Sequence, residues 1–480
     1  MYKIVYLVII SVAISIVSCS KDYDVEDNYS KGQETIVMKF DGLKPCFSEN
    51  RTRATSHAPW TNGDKIYLRF NTVDGVVIAK ALFDEIKGIW TVNLNGVLKV
   101  TQESKVEIYY FGNAPDYDKW VVWIRSYYPI FEDRNGSYSF SSNGELIVNG
   151  ALRSLTSRLT LDKINESDIN SSKEETQTFT ISGLNLYQCF EVETGRLQTF
   201  SGCHIDYTLS YTVSSNGNVD YSGTKWIYSN LSEDSKSISI TRHGEKEGFD
   251  FCYSRICSND MFVVGHSGRL RVPSYGDHEG WTMKQVTGKE NGKTWVDLGL
   301  PSGNLWAIEN VGADFSKWIT DYNDNSLYGA YFCWGYNQES ISSSITDISG
   351  TIHDYAKKEL GGRWVMPTHS DYDELFNLQY GYGSYDNTWL YSKAMGLNIY
   401  GKTGEKLFLP EAGYYKDGKY IFEYSGRYWN STLKSKGEPY CLSFSRTIEN
   451  GVCTKSIIDW TSTENKNNKC SIRAIIKTNK

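Results

Sequence analysis

The chain has 480 residues, a length that corresponds to about three domains. Aromatic residues make up 14% of it and glycine occupies 41 positions, a composition that favours strands joined by many turns. The net charge of -7, without a basic run in the sequence, excludes nucleic acid as an expected partner.

The N-terminus predicts an exported lipoprotein. Lys3 precedes an uncharged run from Ile4 to Val17, which has the length of a signal-peptide core and is too short to span a bilayer. Residues 16–19 resemble a bacterial lipobox, so we assign 1–18 to the signal peptide and expect acyl chains on Cys19. The alternative is an ordinary secretory signal. Residues 19–32 form a tether, whose acidic run resembles a Bacteroidota surface-export signal or is simply solvated.

Residues 33–283 are expected to form two β-sandwiches, 33–145 and 146–283. Ile66, Leu68 and Phe70 alternate with polar neighbours, as in a strand with one buried face. A second alternating run, 205–213, leads into the turn signal Asn216-Gly217. The boundary is placed near residue 145, after a stretch rich in Gly, Ser and Asn.

Two motifs resemble the start of a fimbrillin-family protein, a subunit of Bacteroidota type V pili. They are Arg51-Thr52-Arg53-Ala54-Thr55 and the Trp-Thr-Asn-Gly-Asp-Lys-Ile run over 60–66. The resemblance implies two tandem transthyretin-like sandwiches. It also implies maturation by a protease that cuts after Arg53, or after Arg51, and removes the lipidated arm with strand 35–40. A strand from another pilus subunit would then fill the open edge by donor-strand exchange. The alternative is that both arginines are solvated loop residues.

The last part of the chain carries a second, ordered set of motifs, over 292–307, 361–368, 407–414 and 471–474. The set resembles the Fibrobacter succinogenes major paralogous domain, which implies an α+β C-type-lectin-like domain over 284–480. Four tryptophans of this domain are expected in its core, namely Trp306, Trp334, Trp364 and Trp429. The predicted fold class is therefore mainly β: two tandem transthyretin-like β-sandwiches followed by an α+β C-type-lectin-like domain.

The residues that could carry catalysis do not form a convincing set. Formylglycine-generating relatives of the lectin-like fold use a close pair of cysteines, whereas Cys441, Cys453 and Cys470 are well separated in the sequence. The carboxylates of 371–374 follow Ser370 in a Ser-x-x-Asp arrangement typical of a helix start. We expect no catalytic residue, no metal and no cofactor, since the seven histidines are scattered and the acidic run 321–325 departs from a calcium loop.

The cysteines of an exported chain permit disulfides. The local pairs to test are Cys189 with Cys203 and Cys252 with Cys257.

Late strands and loops form the ligand face in lectin-like folds, and exposed aromatic rings suit sugars or protein partners. The candidates for ligand binding are Tyr424, Tyr428, Asn430, Lys434, Lys436, Tyr440, Asp459, Trp460 and Asn465.

Together these features predict a cell-surface adhesin, and not an enzyme. A stalk subunit ends in its own donor strand, whereas this chain continues into a further domain, which favours the tip or accessory subunit of a fimbrium. Its expected location is the surface of the outer membrane, held there by the lipid anchor before maturation. Its expected external partner is a host or microbial glycan or protein. The alternative is a permanently lipid-anchored surface glycan-binding protein that does not polymerise.

Overall fold

The structure is a computed structural model, and the protein is mainly β. The structure describes residues 35–47, 56–96, 98, 104–163, 175–199, 204–213, 219–222, 226–231, 237–257, 262–271, 280–314, 325–376, 382–384, 396–422, 424–434, 437–449 and 452–478. The chain divides into two compact units: the first holds residues 31–288 together with 400–405, and the second holds 289–399 and 406–480. No helix among the described residues is long and apolar enough to cross a membrane.

The first unit begins with a sheet of eight strands. The strands described up to residue 154 are β1 (Thr35–Phe40), β2 (Lys44–Cys46), β3 (Ser56–Ala58), β4 (Lys65–Thr72), β5 (Gly75–Asp84), β6 (Ile89–Leu94), β7 (Lys105–Tyr110), β8 (Asp116–Asp118), β9 (Val121–Trp123), β10 (Phe131–Phe140), β11 (Leu146–Asn149) and β12 (Arg153–Ser154). The sheet order is β11-β1-β6-β5-β4-β7-β10-β12. Because β11 pairs with both β1 and β10, the strands from β1 to β10 in this order and β11 form a closed ring. Ile66, Leu68 and Phe70 lie in its core, as their alternation predicts.

The boundary placed near residue 145 differs from the structure. Both β11 and β12 follow that position yet belong to the first sheet, where Val148 on β11 lies opposite Phe40 on β1. The boundary was placed from the turn-forming residues of 135–144, which are visible in the sequence. The pairing of β11 with β1 joins residues far apart in the chain and leaves no local signal in the sequence.

The rest of the first unit contains a second apolar core. Its strands are β13 (Ser157–Lys163), β14 (Glu175–Ser182), β15 (Leu184–Asn185), β16 (Tyr187–Glu191), β17 (Arg196–Thr199), β18 (His204–Val213), β19 (Val219–Ser222), β20 (Ile227–Leu231), β21 (Ser237–Lys246), β22 (Phe249–Ile256), β23 (Ser267–Arg271) and β24 (Thr282–Gln285). They form sheets in the orders β15-β20-β13-β23 and β19-β18-β14-β21-β22-β24, while β17 and β16 join β9 and β8. Ile205, Tyr207 and Leu209 are buried, which confirms the alternation over β18.

The described cysteines of the first unit do not bear out the proposed disulfides. Cys189, Cys252 and Cys257 are free thiols, and Cys203 lies outside the described residues. Cys252 lies within the extended strand β22 and Cys257 follows its end. Five residues of extended chain span about 16 Å, too far for a disulfide.

The second unit is built from short sheets and two helices. Its strands are β25 (Thr287–Glu290), β26 (Lys293–Asp297), β27 (Leu305–Asn310), β28 (Trp364–Val365), β29 (Tyr382–Ser384), β30 (Gly396–Tyr400), β31 (Lys406–Pro410), β32 (Tyr414–Lys416), β33 (Lys419–Ile421), β34 (Ser425–Leu433), β35 (Pro439–Glu449), β36 (Val452–Thr463) and β37 (Arg473–Ile476). The helices are α1 (Tyr355–Leu360) and α2 (His369–Phe376), with 3-10 turns at Asn325–Leu327 and Gln338–Ser340. The five-stranded sheet has the order β25-β26-β27-β37-β28, and β34, β35 and β36 form an antiparallel sheet.

The aromatic core of the second unit follows the sequence prediction. Trp306, Trp364 and Trp429 are fully buried and Trp334 is nearly so. The indole nitrogen of Trp334 donates to the carbonyl of Asn430 at 2.9 Å, and that of Trp364 donates to the carbonyl of Glu290 at 2.9 Å. A buried indole N–H that finds an acceptor carries no desolvation penalty, so these rings stabilise the core at low cost.

Candidate ligand-binding site

Helix α2 is positioned by the residue before it. The Thr368 hydroxyl accepts from Asp371 N at 3.3 Å, and the Thr368 N–H donates to Asp371 Oδ2 at 2.7 Å. These reciprocal bonds make a capping box with Thr368 as the N-cap. The predicted helix start is thus confirmed, but its cap is Thr368 and not the exposed Ser370, because the helix begins two residues earlier than the Ser-x-x-Asp spacing indicates.

The fold of α2 places two polar side chains at the surface. Tyr372, Leu375 and Phe376 are buried on one side of the helix. His369 and Asp373, four residues apart, lie along the edge of that buried side, with His369 Nε2 3.6 Å from Asp373 Oδ2.

The antiparallel strands β34, β35 and β36 bring further side chains to these two. The Tyr440 ring stacks on His369, with centroids 3.9 Å apart and planes within 2°. Lys434 Nζ lies 5.5 Å from the centre of the Tyr440 ring. Trp460 stacks on Phe376 at 5.2 Å and its indole nitrogen donates to Asp373 Oδ1 at 2.8 Å.

We call this connected set the His369 face; it consists of His369, Asp373, Lys434, Tyr440 and Trp460. Its members offer flat ring surfaces beside one carboxylate and one ammonium group. Such a surface can bind the apolar faces of sugar rings or an aromatic side chain, while the charged groups exchange hydrogen bonds with hydroxyls or amides.

Sequence reasoning identified three residues of this face, Lys434, Tyr440 and Trp460. It missed His369 and Asp373, because their helix was interpreted only as a cap. Their spacing of four residues, which places both side chains on the same face of a helix, is a signal that was available in the sequence.

Two of the predicted contact residues cannot touch a ligand from their positions. Tyr428 and Asn430 are completely buried, which corrects their assignment to the surface. The Tyr428 hydroxyl donates to Pro410 O at 2.8 Å, and the Asn430 side chain accepts from Thr432 N at 3.0 Å. Trp429 between them is also fully buried, so β34 is covered on both faces here and these residues hold the strand in the core.

The remaining candidates lie elsewhere or have local partners. Asp459 accepts from the N–H and the hydroxyl of Thr461, each at 2.8 Å, and Asn465 is exposed and accepts from Asn467 N at 3.0 Å. Lys436 lies outside the described residues, as do Cys19, Arg51 and Arg53.

Tyr424 lies at the far end of β34 from Lys434, in a separate group of exposed rings. Tyr420, Phe422 and Tyr424 are 44%, 40% and 45% exposed. Arg446 lies 5.5 Å from the centre of the Tyr424 ring and forms a buried ion pair with Glu411. Burial raises the pKa of Glu411, although the charge and hydrogen bonds of Arg446 act in the opposite direction. We call these three rings the Tyr420 row; sequence reasoning found only its last member.

Two cysteines that are distant in sequence are neighbours in the core of the second unit. Cys441 and Cys470 are fully buried in the same core cluster, and the Cys441 thiol is close enough to contribute to the pKa of Cys470. This corrects the inference that these residues are far apart. Burial raises the pKa of the Cys470 thiol well above its usual value, so it is protonated at neutral pH and is a poor nucleophile.

Comparison with known proteins adds little beyond these observations. Neither a protein-family model nor a curated protein matches the chain. A crystal structure of a candidate cell adhesion protein from Bacteroides uniformis aligns at 12% identity over 52% of this chain and 96% of its own, with a TM-score of 0.29. A candidate cell adhesion protein from Bacteroides fragilis aligns at 10% identity over the same shares of the two chains, with a TM-score of 0.23.

Proposed function

We propose that the protein is a surface adhesin of the tip or accessory position of a type V pilus, matured by cleavage after Arg53 or Arg51 and assembled by donor-strand exchange. Its second unit binds a glycan or protein through the His369 face and breaks no bond on that partner. The lipid on Cys19 holds the precursor in the outer membrane.

The position of β1 is the observation that carries this proposal. β1 lies between β6, with which it is antiparallel, and β11, with which it is parallel. Met38 is fully buried, and Ile36 and Phe40 pack against the same core. The strand alternates more regularly than its sequence indicated, with Val37 on the exposed side.

Cleavage after Arg53 would separate β1 and β2 from the rest of the first unit. The loss of β1 leaves hydrogen-bonding groups of β6 and β11 without partners and opens the core at the site of Met38. An alternating strand from another subunit supplies both the missing hydrogen bonds and the missing side chains, which is the physical basis of strand addition.

The experiment compares the chain of residues 20–480 with a version that begins at residue 54. A fluorescent peptide of residues 33–42 is titrated into each, with a peptide carrying Met38→Asp as the matched control. We expect the shortened protein to bind the native peptide, the intact protein not to bind it, and the Met38→Asp peptide to bind neither. Equal binding of the peptide by both proteins, or by neither, would contradict strand exchange at this site.

The permanently anchored glycan-binding protein is supported by a different observation. Lys44 Nζ lies 2.6 Å from Asp64 Oδ2, and the indole of Trp60 donates to Gly42 O at 2.9 Å. These contacts tie the segment before Arg51 to the body of the first unit. If the double variant Arg51→Ala, Arg53→Ala keeps its location and its ligand binding, the anchored form is the functional one.

A further inference from the structure

A histidine and two carboxylates converge at one end of the hairpin formed by β21 and β22. His243 lies on β21 and Asp250 on β22, on either side of the turn at Glu247 and Gly248, both of which have a positive φ. Glu405 comes from the segment 400–405, which belongs to the same unit. The three ligand atoms lie within 4.8 Å of one another.

The hydrogen bonds around His243 determine which ring nitrogen carries a proton. The Thr180 hydroxyl donates its single proton to Asp206 Oδ1 at 3.0 Å. Its oxygen, 2.8 Å from His243 Nε2, can therefore only accept, so Nε2 is the protonated nitrogen. Nδ1 then faces Asp250 Oδ2 at 3.4 Å and Glu405 Oε1 at 3.6 Å.

Three electron-rich atoms this close favour a positive charge between them, and the distances from Nδ1 help to distinguish a proton from a metal ion. Hydrogen bonds from N–H to oxygen are about 2.7–3.2 Å long, so a proton on Nδ1 is poorly placed for either carboxylate. Ligands that lie about 2.0–2.2 Å from a tetrahedral Zn²⁺ are separated from each other by about 3.3–3.6 Å. The two separations from Nδ1, 3.4 and 3.6 Å, fit the second case.

We propose that His243 Nδ1, Asp250 Oδ2 and Glu405 Oε1 form a divalent-cation site of the Zn²⁺ type. One nitrogen and two carboxylate oxygens match the ligands that Zn²⁺ accepts, whereas Ca²⁺ and Mg²⁺ prefer oxygen alone. The two carboxylates balance the charge of the ion. The His243 side chain is 32% exposed, so water can supply the fourth ligand.

The surroundings fix the three side chains as they do in metal sites. Nε2 of His243 is held by Thr180, and Asp250 Oδ1 accepts from Gly244 N at 2.6 Å. The Glu405 segment is fastened by bonds from Ser182 Oγ to Lys402 O at 3.1 Å and from Thr241 Oγ1 to Thr403 O. Such outer contacts orient the ligands and raise metal affinity.

The sequence did not indicate this site because its ligands are dispersed along the chain. His243 and Asp250 lack the short spacing of a zinc motif, and Glu405 is contributed by a distant segment. The expectation that the chain holds no metal therefore rested on local spacing alone.

The test is titration of the metal-free chain of residues 20–480 with ZnCl₂ by calorimetry, and with Co²⁺ by visible absorption. The variants are His243→Gln, Asp250→Asn and Glu405→Gln, with His266→Gln as the matched control. We expect one Zn²⁺ per wild-type chain, affinity at least about 100-fold lower in each ligand variant, and no change in the control. Wild-type Co²⁺ should show the strong visible bands of tetrahedral coordination, and His243→Gln should lose them.

Circular dichroism checks that each variant is folded. If His243→Gln does not fold, the Zn²⁺ affinity of Asp250→Asn, whose side chain has nearly the same shape as that of the wild type, is the deciding measurement. Equal affinity in the wild type and Asp250→Asn would overturn the proposal. The absence of Zn²⁺ binding by the folded wild type would overturn it as well.

Discussion

At the scale of single residues, Asp64 shows how the motif Trp60–Ile66 is held in place. Its nearly buried carboxylate accepts from Thr61 N at 2.6 Å and from the Tyr110 hydroxyl at 3.1 Å, and pairs with Lys44. Burial acts to raise the pKa of Asp64, but the bonds from Lys44 and Thr61 outweigh it and hold the pKa below its usual value. The ionised form is thus the one that the fold stabilises.

Replacement of this carboxylate should therefore have a pH-dependent effect. Asp64→Asn is expected to lower the free energy of unfolding by about 1.5–3 kcal/mol at pH 7, since it removes charged hydrogen bonds. The folded-state pKa is lower than the unfolded one of about 3.9, so the advantage of the wild type is complete above that pH. The stability advantage of the wild type is lost as the pH falls through the pKa of Asp64 in the folded state, where this carboxylate becomes protonated.

Urea unfolding of both proteins at pH 7 and at pH 3 measures this difference, with Asp118→Asn, a change in an exposed strand, as the control. A wild-type advantage that is the same at both pH values would show that the ionised carboxylate is not its source.

The rings of the His369 face should account for most of the ligand affinity. Buried aromatic contacts at the centre of an interface are worth at least about 2 kcal/mol, so Tyr440→Ala and Trp460→Ala should each weaken binding about 30-fold. Binding is measured as the signal of the labelled full chain on glycan and protein arrays. Tyr424→Ala is the matched control, because this ring lies in the Tyr420 row. Loss of signal in Tyr424→Ala alone would move the binding site to that row.

At the scale of elements, β1 and α2 owe their positions to different kinds of contact. β1 depends on pairing with β6 and β11, both distant in the chain, and on the burial of Met38. Helix α2 depends on the adjacent Thr368 and on Asp371, whose second oxygen accepts from the Asn304 amide at 2.8 Å. The helix therefore has a local start signal, whereas the neighbours of the strand can be known only from the fold.

The capping box gives a prediction that separates the two interpretations of the helix start. Thr368→Ala should reduce the free energy of unfolding by about 1 kcal/mol, the usual effect of removing an N-cap. Ser370→Ala, at an exposed position, should change it by less than about 0.5 kcal/mol. Chemical denaturation of both variants is the measurement. The opposite order of effects would return the cap to Ser370.

At the scale of the whole molecule, the features that sequence could predict are those that leave a periodic or composition signal. The alternation of Ile66, Leu68 and Phe70 predicted a buried strand face, and the motif tryptophans predicted the core of the second unit. The pairing of β11 with β1 and the approach of Cys441 to Cys470 depend on chain segments that only the folded state brings together. The transthyretin-like and lectin-like assignments remain predictions.

The location of the mature protein on the cell decides between the two proposed functions. If the protein is the proposed tip subunit, immunogold electron microscopy of intact cells, with an antibody against residues 285–480, should place gold at the distal ends of thin filaments. The double variant Arg51→Ala, Arg53→Ala should retain β1 and keep the gold at the cell surface, since a filled groove cannot accept another subunit. Gold along the surface in both strains would contradict assembly. The binding properties of the His369 face would then belong to a lipid-anchored protein whose N-terminal segment stays fixed through Lys44 and Asp64.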